Sequence, residues 1–403
     1  MSRTLPAAAP SRAEFVALMA MLMASIAFSL DAMLPAMPEI ARDLTAALPN
    51  RAQLVVASFI LGMGAGTIVM GPVSDAFGRK PVIVGSAAIY CLGAFLAWHA
   101  PTLEVLLAAR LLQGLGAAGP RVTVMAIIRD LFDGRQMAQM MSFVIVVFTL
   151  VPAIAPTIGA AIIALAGWRA LFLAFIVFSL TTAVWLSFRL PETLAPERRR
   201  GLRVGPVITA TREVLVHPTV RNAILVQICA FGMLFGNIST TQQVFDQTFG
   251  RGESFPLWFA LMAGIGAAGG MLNARIVVRV GMRDVITGTL LVQSALSAAF
   301  LAAAATGVLP GQVYFLSYLL WAGSIFACAG LVLGNINALA LEPMGHIAGT
   351  AASVVAALGT IGAAGIAAGI GLAFDGTPIP VATGILICAV TGLILMQRLR
   401  REA

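Results

Sequence analysis

LPETLAPERRRGLRVGPVITATREVLVHP, residues 190–218, interrupts an otherwise apolar chain of 403 residues with a basic, proline-containing segment too long for an ordinary hairpin. On its N-terminal side, apolar runs fall near 14–36, 52–73, 81–100, 103–127, 138–163 and 168–189. On its C-terminal side they fall near 221–245, 254–274, 285–306, 312–336, 348–373 and 378–396. A bilayer core of about 30 Å is crossed by about 20 mostly apolar residues in a helix, so each run is long enough to span. The spacing predicts an all-α membrane protein of twelve transmembrane helices. Residues 1–189 form an N-terminal six-helix bundle, 190–220 a linker and 221–403 a C-terminal six-helix bundle.

The composition agrees, with 60% hydrophobic and 10% charged residues. A soluble domain carries about a quarter charged residues. The first apolar run is too long for a typical signal-peptide core and lacks a small-residue cleavage site, so it is expected to stay as the first span. Basic residues set the orientation, because cytoplasmic loops carry the excess of Lys and Arg. With the N-terminus inside, Arg3, Arg12, Arg79, Lys80, Arg129, Arg135, Arg189, Arg198, Arg199, Arg200 and Arg203 are cytoplasmic. So are Arg212, Arg221, Arg275, Arg279, Arg283, Arg398, Arg400 and Arg401, leaving Arg42, Arg51, Arg169 and Arg251 outside. Both termini are therefore expected in the cytoplasm. Two equal halves joined by a cytoplasmic linker suggest a duplicated bundle with a mid-membrane binding site at the pseudo-symmetric interface, an architecture suited to alternating access.

Several function classes are excluded. The net charge of +8 lies in short breaks between apolar runs rather than on a solvated face, so no nucleic-acid partner is expected. Cys91, Cys229, Cys328 and Cys388 stand singly in apolar stretches, without metal-site or disulfide-framework spacing. His99, His217 and His346 are equally scattered, so neither a zinc site nor a His-based triad can be assembled. The chain is not expected to be an enzyme or to hold a metal or cofactor.

Between the second and third spans stands GPVSDAFGRKP, residues 71–81. Gly71 permits close helix packing, Gly78 permits a tight turn, and Asp75 beside Arg79 and Lys80 can form an ion-pair latch. The string resembles the G-x-x-x-D-x-x-G-R-[RK] loop of the major facilitator superfamily. That resemblance implies a two-bundle transporter fold in which Asp75 and Arg79 latch one conformational state. Arg129 and Asp130, in the next cytoplasmic loop, are the expected partner pair. The second half echoes the loop in Asn273, Ala274, Arg275, Arg279, Gly281 and Arg283 but lacks the acidic residue. Plain positive-inside arginines explain the echo equally well.

On the fourth span, Arg110, Gln113, Gly114, Ala117 and Arg121 fall at helical spacing on one face. A guanidinium in hydrocarbon faces a cavity or a partner. The string resembles the R-x-x-Q-G motif of proton-coupled exporters, which ties Arg110 to proton movement. Arg121 lies nearer the cytoplasmic end, where snorkelling competes with a cavity role. On the fifth span Pro152, Pro156 and Gly159 share a face, and each proline removes a backbone hydrogen bond and bends the helix. This resembles the antiporter motif G-P-x-x-G-G, although Ala155 and Ala160 replace two of its glycines. SLDAMLPAMP at 29–38, GWRALF at 167–172 and PETL at 191–194 resemble the bicyclomycin and chloramphenicol resistance subfamily of drug:proton antiporters. Membership there implies a monomeric, multi-pass protein of the bacterial inner membrane that needs no cofactor. Its partners are protons, a small amphipathic substrate and the bilayer.

Asp31 is the only acidic residue well inside a predicted span, about five residues, or roughly 8 Å, from the outer end of the first helix. Arg110 lies about seven residues, or roughly 10 Å, inside the outer end of the fourth. Burial favours the neutral form of a carboxylic acid and a nearby arginine favours the charged form, so a changing separation would load and release a proton. Met23, two turns before Asp31, is neutral, which places the whole coupling burden on Asp31. In the second half the most polar stretch is Asn237–Gln243, with Asn237 and Thr241 as candidates for a cavity lining or for a fraying helix end. Tyr314, Tyr318 and Trp321 share a face of the tenth span. Tyr314 suits the outer aromatic belt, while Tyr318 and Trp321 suit either packing or stacking on an aromatic or cationic substrate. The sequence therefore points to proton-coupled export of amphipathic compounds. Metabolite uptake or facilitated diffusion on the same fold is the alternative, and a receptor or membrane enzyme a more distant one.

Overall fold

In hydrocarbon every backbone N–H and C=O must be satisfied inside its own segment, which leaves an apolar run little choice but the helix. A computed structural model of the protein describes residues 10–199, 201–202 and 204–401. Arg3, Arg200 and Arg203, assigned to the cytoplasm by the charge pattern, lie outside the described residues. Among the described residues the chain is helical, without a strand. The helices are α1 (Arg12–Asp31), α2 (Met37–Leu44), α3 (Leu54–Phe77), α4 (Arg79–Trp98), α5 (Leu103–Leu131), α6 (Gly134–Ala166) and α7 (Ala170–Arg189). They continue as α8 (Val204–Val216), α9 (Pro218–Gln243), α10 (Phe255–Val280), α11 (Met282–Thr306), α12 (Gly311–Leu341), α13 (Ala348–Leu372) and α14 (Ile379–Arg401). Ten helical stretches among the described residues are long and apolar enough to cross a membrane, making this a multi-pass membrane protein. One of them, Gly311–Leu372, holds 62 residues and contains both α12 and α13.

The chain divides into two compact units, one of Met1–Met33 with Ser58–Ile208, the other of Leu34–Ala57 with Thr209–Ala403. In the first unit α1 packs on α6 and α7, and α4 on α5 and α7. The start of α1 is fixed by charge as well as packing. Ser11 Oγ caps the helix at Glu14 N (3.2 Å), and the Glu14 carboxylate accepts from Arg189 Nη2 (2.7 Å) and Trp185 Nε1 (3.1 Å) near the end of α7. Phe15, Leu18, Met19, Val124, Ile127 and Leu186 close the apolar core beneath this pair. In the second unit α9 lies against α12, α13 and α14, with α10 on α12 and α11 on α14. The segment 34–57 joins this unit through the 3₁₀ turn Pro49–Gln53 on α13. There Asn50 Nδ2 donates to the carbonyls of Leu372 (3.3 Å) and Phe374.

Helix ends differ from the hydropathy boundaries. α3 runs on to Phe77 and α10 to Val280, so Asn273, Arg275 and Arg279 are helical rather than loop residues. Helices protrude past the apolar slab, and hydropathy measures the slab rather than the helix. The segment read as a plain linker contains α8, with Ala210 and Val214 buried.

Candidate functional site

The polar centre of the first unit is assembled from α1, α4 and α5. Arg110 on α5 is 0% exposed. Its Nη1 donates to Gln113 Oε1 (2.7 Å), one helical turn on, and its Nη2 donates to the backbone carbonyl of Ser29 on α1 (3.0 Å). The guanidinium also sits 4.4 Å from the centroid of the Phe59 ring on α3. A desolvated cation–π contact is worth about 2 kcal/mol and a hydrogen bond to a charged group about 1.5–3 kcal/mol, so the cation is held by several partners at once. Ser29 Oγ shares a hydrogen bond with the Tyr90 hydroxyl of α4, which ties the three helices together. Tyr90 has no counterpart in the sequence reading. A tyrosine on an apolar helix carries no period or motif that would single it out.

Asp31 follows two residues after Ser29 and is 4% exposed. Among the described residues no hydrogen bond or ion pair reaches its carboxylate. Arg110 thus touches α1 through the Ser29 carbonyl rather than the Asp31 side chain. Among the described residues the buried amide nitrogen of Gln113 makes no hydrogen bond of good geometry, its side chain interacting only loosely with the Tyr90 hydroxyl. Arg121, further along α5, is half-buried.

Beside Asp31, α6 comes into backbone contact with α1. Pro152 and Pro156 lie inside the uninterrupted helix Gly134–Ala166. A Cβ at Gly159 would stand 2.1 Å from the carbonyl oxygen of Ala32. The third residue of the predicted α6 face is therefore glycine because no side chain fits where α6 crosses the residue after Asp31.

At the other end of this unit, the segment Gly71–Pro81, helical but for Gly78, forms a charge network. Gly71 is half-buried near the end of α3. Gly78 adopts φ 105° between α3 and α4, a conformation that favours glycine. The side chain of Arg79 is only 9% exposed; its Nη1 donates to Asp75 Oδ1 (2.6 Å) and Ser74 Oγ (3.0 Å), and its Nε to Asp130 Oδ2 (2.9 Å). Asp130 is thus brought to Arg79. Arg129, the next residue toward the N-terminus, is exposed, with no hydrogen bond or ion pair among the described residues. The network has a member that was not assigned a role in it. Glu192, in the PETL string, accepts from the backbone N–H groups of Arg79 (2.9 Å), Lys80 (3.0 Å) and Leu194 (2.9 Å). Its carboxylate caps the first turn of α4, where the helix presents unsatisfied donors and a positive dipole end.

In the second unit Asn237 and Thr241 are fully buried on α9, which continues to Gln243 and then into a π-helical turn at Val244–Thr248, so this stretch is not a fraying end. Asn237 Nδ2 donates to the Ala322 carbonyl of α12 (3.5 Å), and Thr241 Oγ1 bonds the Asn237 carbonyl. Tyr318 and Trp321 stand in an aromatic cluster. Phe300 stacks on Trp321 at 4.7 Å and 9°, and Phe249 lies 5.4 Å from Tyr318. Trp321 Nε1 donates to Ser297 Oγ (3.1 Å), while among the described residues the buried Tyr318 hydroxyl makes no hydrogen bond of good geometry and interacts loosely with Thr241. Gln227, Gln242 and Gln243 on α9 also keep buried carbonyl oxygens unpartnered. Gln227 went unnoticed in the sequence because a single glutamine in an apolar run does not reveal which face it takes. Among the described residues no group of His, Cys, Asp and Glu is arranged to hold a metal ion.

The sequence pattern of the Major Facilitator Superfamily matches residues 17–370. An uncharacterized MFS-type transporter, YdgK of Bacillus subtilis, is 27% identical over 387 residues, covering 93% of this chain and 92% of its own. A bicyclomycin resistance protein homolog of Haemophilus influenzae is 30% identical over 267 residues, 66% of this chain and 67% of its own. Multidrug resistance protein MdtL of Escherichia fergusonii is 30% identical over 240 residues, 59% of each chain. Among solved structures, a D-xylose-proton symporter superposes with a TM-score of 0.72 at 15% identity, covering 96% of this chain and 97% of its own. The human organic anion transporter MFSD10 gives 0.67 at 18% identity, over 97% and 100%.

Proposed function

We propose that this chain, which belongs to the major facilitator superfamily and is therefore a transporter rather than an enzyme, exports small amphipathic compounds from the bacterial cytoplasm in exchange for protons. The observation that carries the reading is Asp31, a carboxyl group 4% exposed on the first span, unpartnered among the described residues and next to the α1–α6 backbone contact at Gly159. An ionisable group held there costs stability and is kept where it works. The names of the bicyclomycin and multidrug resistance relatives support export of drug-like compounds. In this reading Asp31 carries the proton, and Arg110, anchored two residues away on α1, tunes it electrostatically. Gln113 and Arg121 in the first unit, and Asn237, Thr241, Tyr318 and Trp321 in the second, are each candidates for substrate contact in a cycle of alternating access. The protein works as a monomer with no cofactor beyond the proton gradient.

Inverted membrane vesicles test the proposal with a panel of lipophilic cations, neutral antibiotics and sugars, while an imposed pH gradient is built and then collapsed. Accumulation of an amphipathic compound that ends when the gradient collapses is the expected result. Gradient-independent equilibration, or concentration of a sugar in right-side-out vesicles only, overturns it in favour of facilitated diffusion or uptake.

A further inference from the structure

A groove of about 370 Å³ runs along the outside of α10, α11 and α12, apart from every residue assigned to transport. Its walls are Leu272, Ile276 and Val280 on α10, Val292 and Leu296 on α11, and Leu331 on α12. Leu272, Val280, Val292 and Leu296 are 48%, 49%, 58% and 43% exposed, so the walls are open to whatever lies beside the helices. Gly288 keeps the middle clear: a Cβ there would meet nothing within 4 Å. The polar floor is already satisfied, since Ser324 Oγ donates to Gln293 Oε1 (3.1 Å) and Gln293 Nε2 to Ser297 Oγ (3.3 Å). The channel itself therefore asks for an apolar occupant. From Asp284 to Leu296 it follows α11 for roughly 18 Å at the helical rise, close to the length of an extended acyl chain.

One end of this channel is charged. It opens at the α10–α11 turn, where Arg279 and Arg283 are the sequence neighbours of the lining residues Val280 and Asp284; Arg279 is exposed and Arg283 half-exposed, neither in an ion pair among the described residues. Asp284 lines the same mouth, and one carboxylate beside the two guanidinium groups of Arg279 and Arg283 leaves the turn positive. Apolar walls leading away from a basic mouth at the membrane surface match a phospholipid with a net negative headgroup, and basic pockets of this kind at the cytoplasmic ends of spans bind such headgroups. We propose that the groove is a binding site for one anionic phospholipid, its phosphate at Arg279 and Arg283 and one acyl chain laid over Gly288. The assignment rests on the cytoplasmic placement of this turn and on nothing about the transported substrate.

The probe is phosphatidylglycerol set against phosphatidylcholine with the same acyl chains, supplied in equal amounts to the detergent-purified protein and read by native mass spectrometry. Wild type should retain one phosphatidylglycerol in clear excess. Each surface arginine is worth about fivefold to an anionic headgroup, so Arg279→Gln with Arg283→Gln should lower that retention by roughly twenty-five-fold. Gly288→Phe should fill the channel and reduce both lipids while leaving the melting temperature of the lipid-free protein unchanged. Equal retention of the two lipids by wild type, or phosphatidylglycerol retention unaltered in the double variant or in Gly288→Phe, overturns the site. Because no transport is measured, failure of the export reading leaves this test intact.

Discussion

At Arg79 two carboxylates share one guanidinium, and they differ in what removing them costs. The Asp75 side chain is 48% exposed and that of Asp130 15%. An exposed ion pair contributes about 0–1 kcal/mol, whereas removing one member of a buried pair costs about 3–5 kcal/mol. Asp75→Asn is therefore expected to change stability by less than about 1 kcal/mol yet impair transport, if the network distinguishes conformational states. Asp130→Asn should lower stability by about 2 kcal/mol or more. Thermal unfolding in detergent beside a vesicle flux assay checks both, and normal flux in Asp75→Asn refutes the latch. Asp31→Asn should abolish pH-driven accumulation in a protein that still elutes as a folded monomer and still exchanges a neutral substrate across a concentration gradient. Continued accumulation against a gradient shows that another group carries the proton. The residues that matter here were legible to different degrees. Asp75, Gly78 and Arg79 sit within five positions of one another and state their geometry locally. Glu192 reaches the same loop from 113 residues away in sequence, a contact that only the packing of α4 and α7 creates.

Among the elements, α6 carries the sharpest expectation. Pro156 contributes shape and no donor, so Pro156→Ala should restore a backbone hydrogen bond, slow turnover or raise leak, and leave equilibrium binding nearly unchanged. A large loss of binding with normal turnover contradicts a gating role. Gly159→Leu is expected to be more severe, since even a Cβ falls 2.1 Å from the Ala32 carbonyl. It should separate α6 from α1 and remove transport altogether, a loss measurable with the same vesicles. The helices themselves were readable from runs of apolar residues, because the bilayer sets their minimum length. Their ends were not: α10 stays helical for six residues past the predicted span until Gly281, at φ 90°, stops it. The helix α8 escaped notice because Gly205-Pro206 suggests a turn, although proline is well tolerated in the first turn of a helix.

At the scale of the whole chain, six helices of 20 residues or more precede the polar segment 190–218 and six follow it among the described residues. What hydropathy cannot express is which unit a short connecting segment joins, since that depends on hydrogen bonds such as those of Asn50 to the carbonyls of Leu372 and Phe374. Asn50→Ala removes both and should make residues of 34–57 more reactive to a membrane-impermeant thiol reagent after cysteine substitution. Unchanged labelling shows that apolar packing alone holds the segment. The same feature bears on the protein as two polypeptides. A chain severed in the segment 190–218 would not yield two self-sufficient fragments, because the C-terminal piece would lack residues 34–57, which belong to its compact unit. Gln53, which packs on Gly371 and is 0% exposed, would leave the surface of α13 bare. Made alone, the C-terminal fragment should be short-lived and prone to proteolysis. Co-expressed with its mate it should be rescued, the N-terminal fragment acting as a chaperone through a hairpin of two dozen residues.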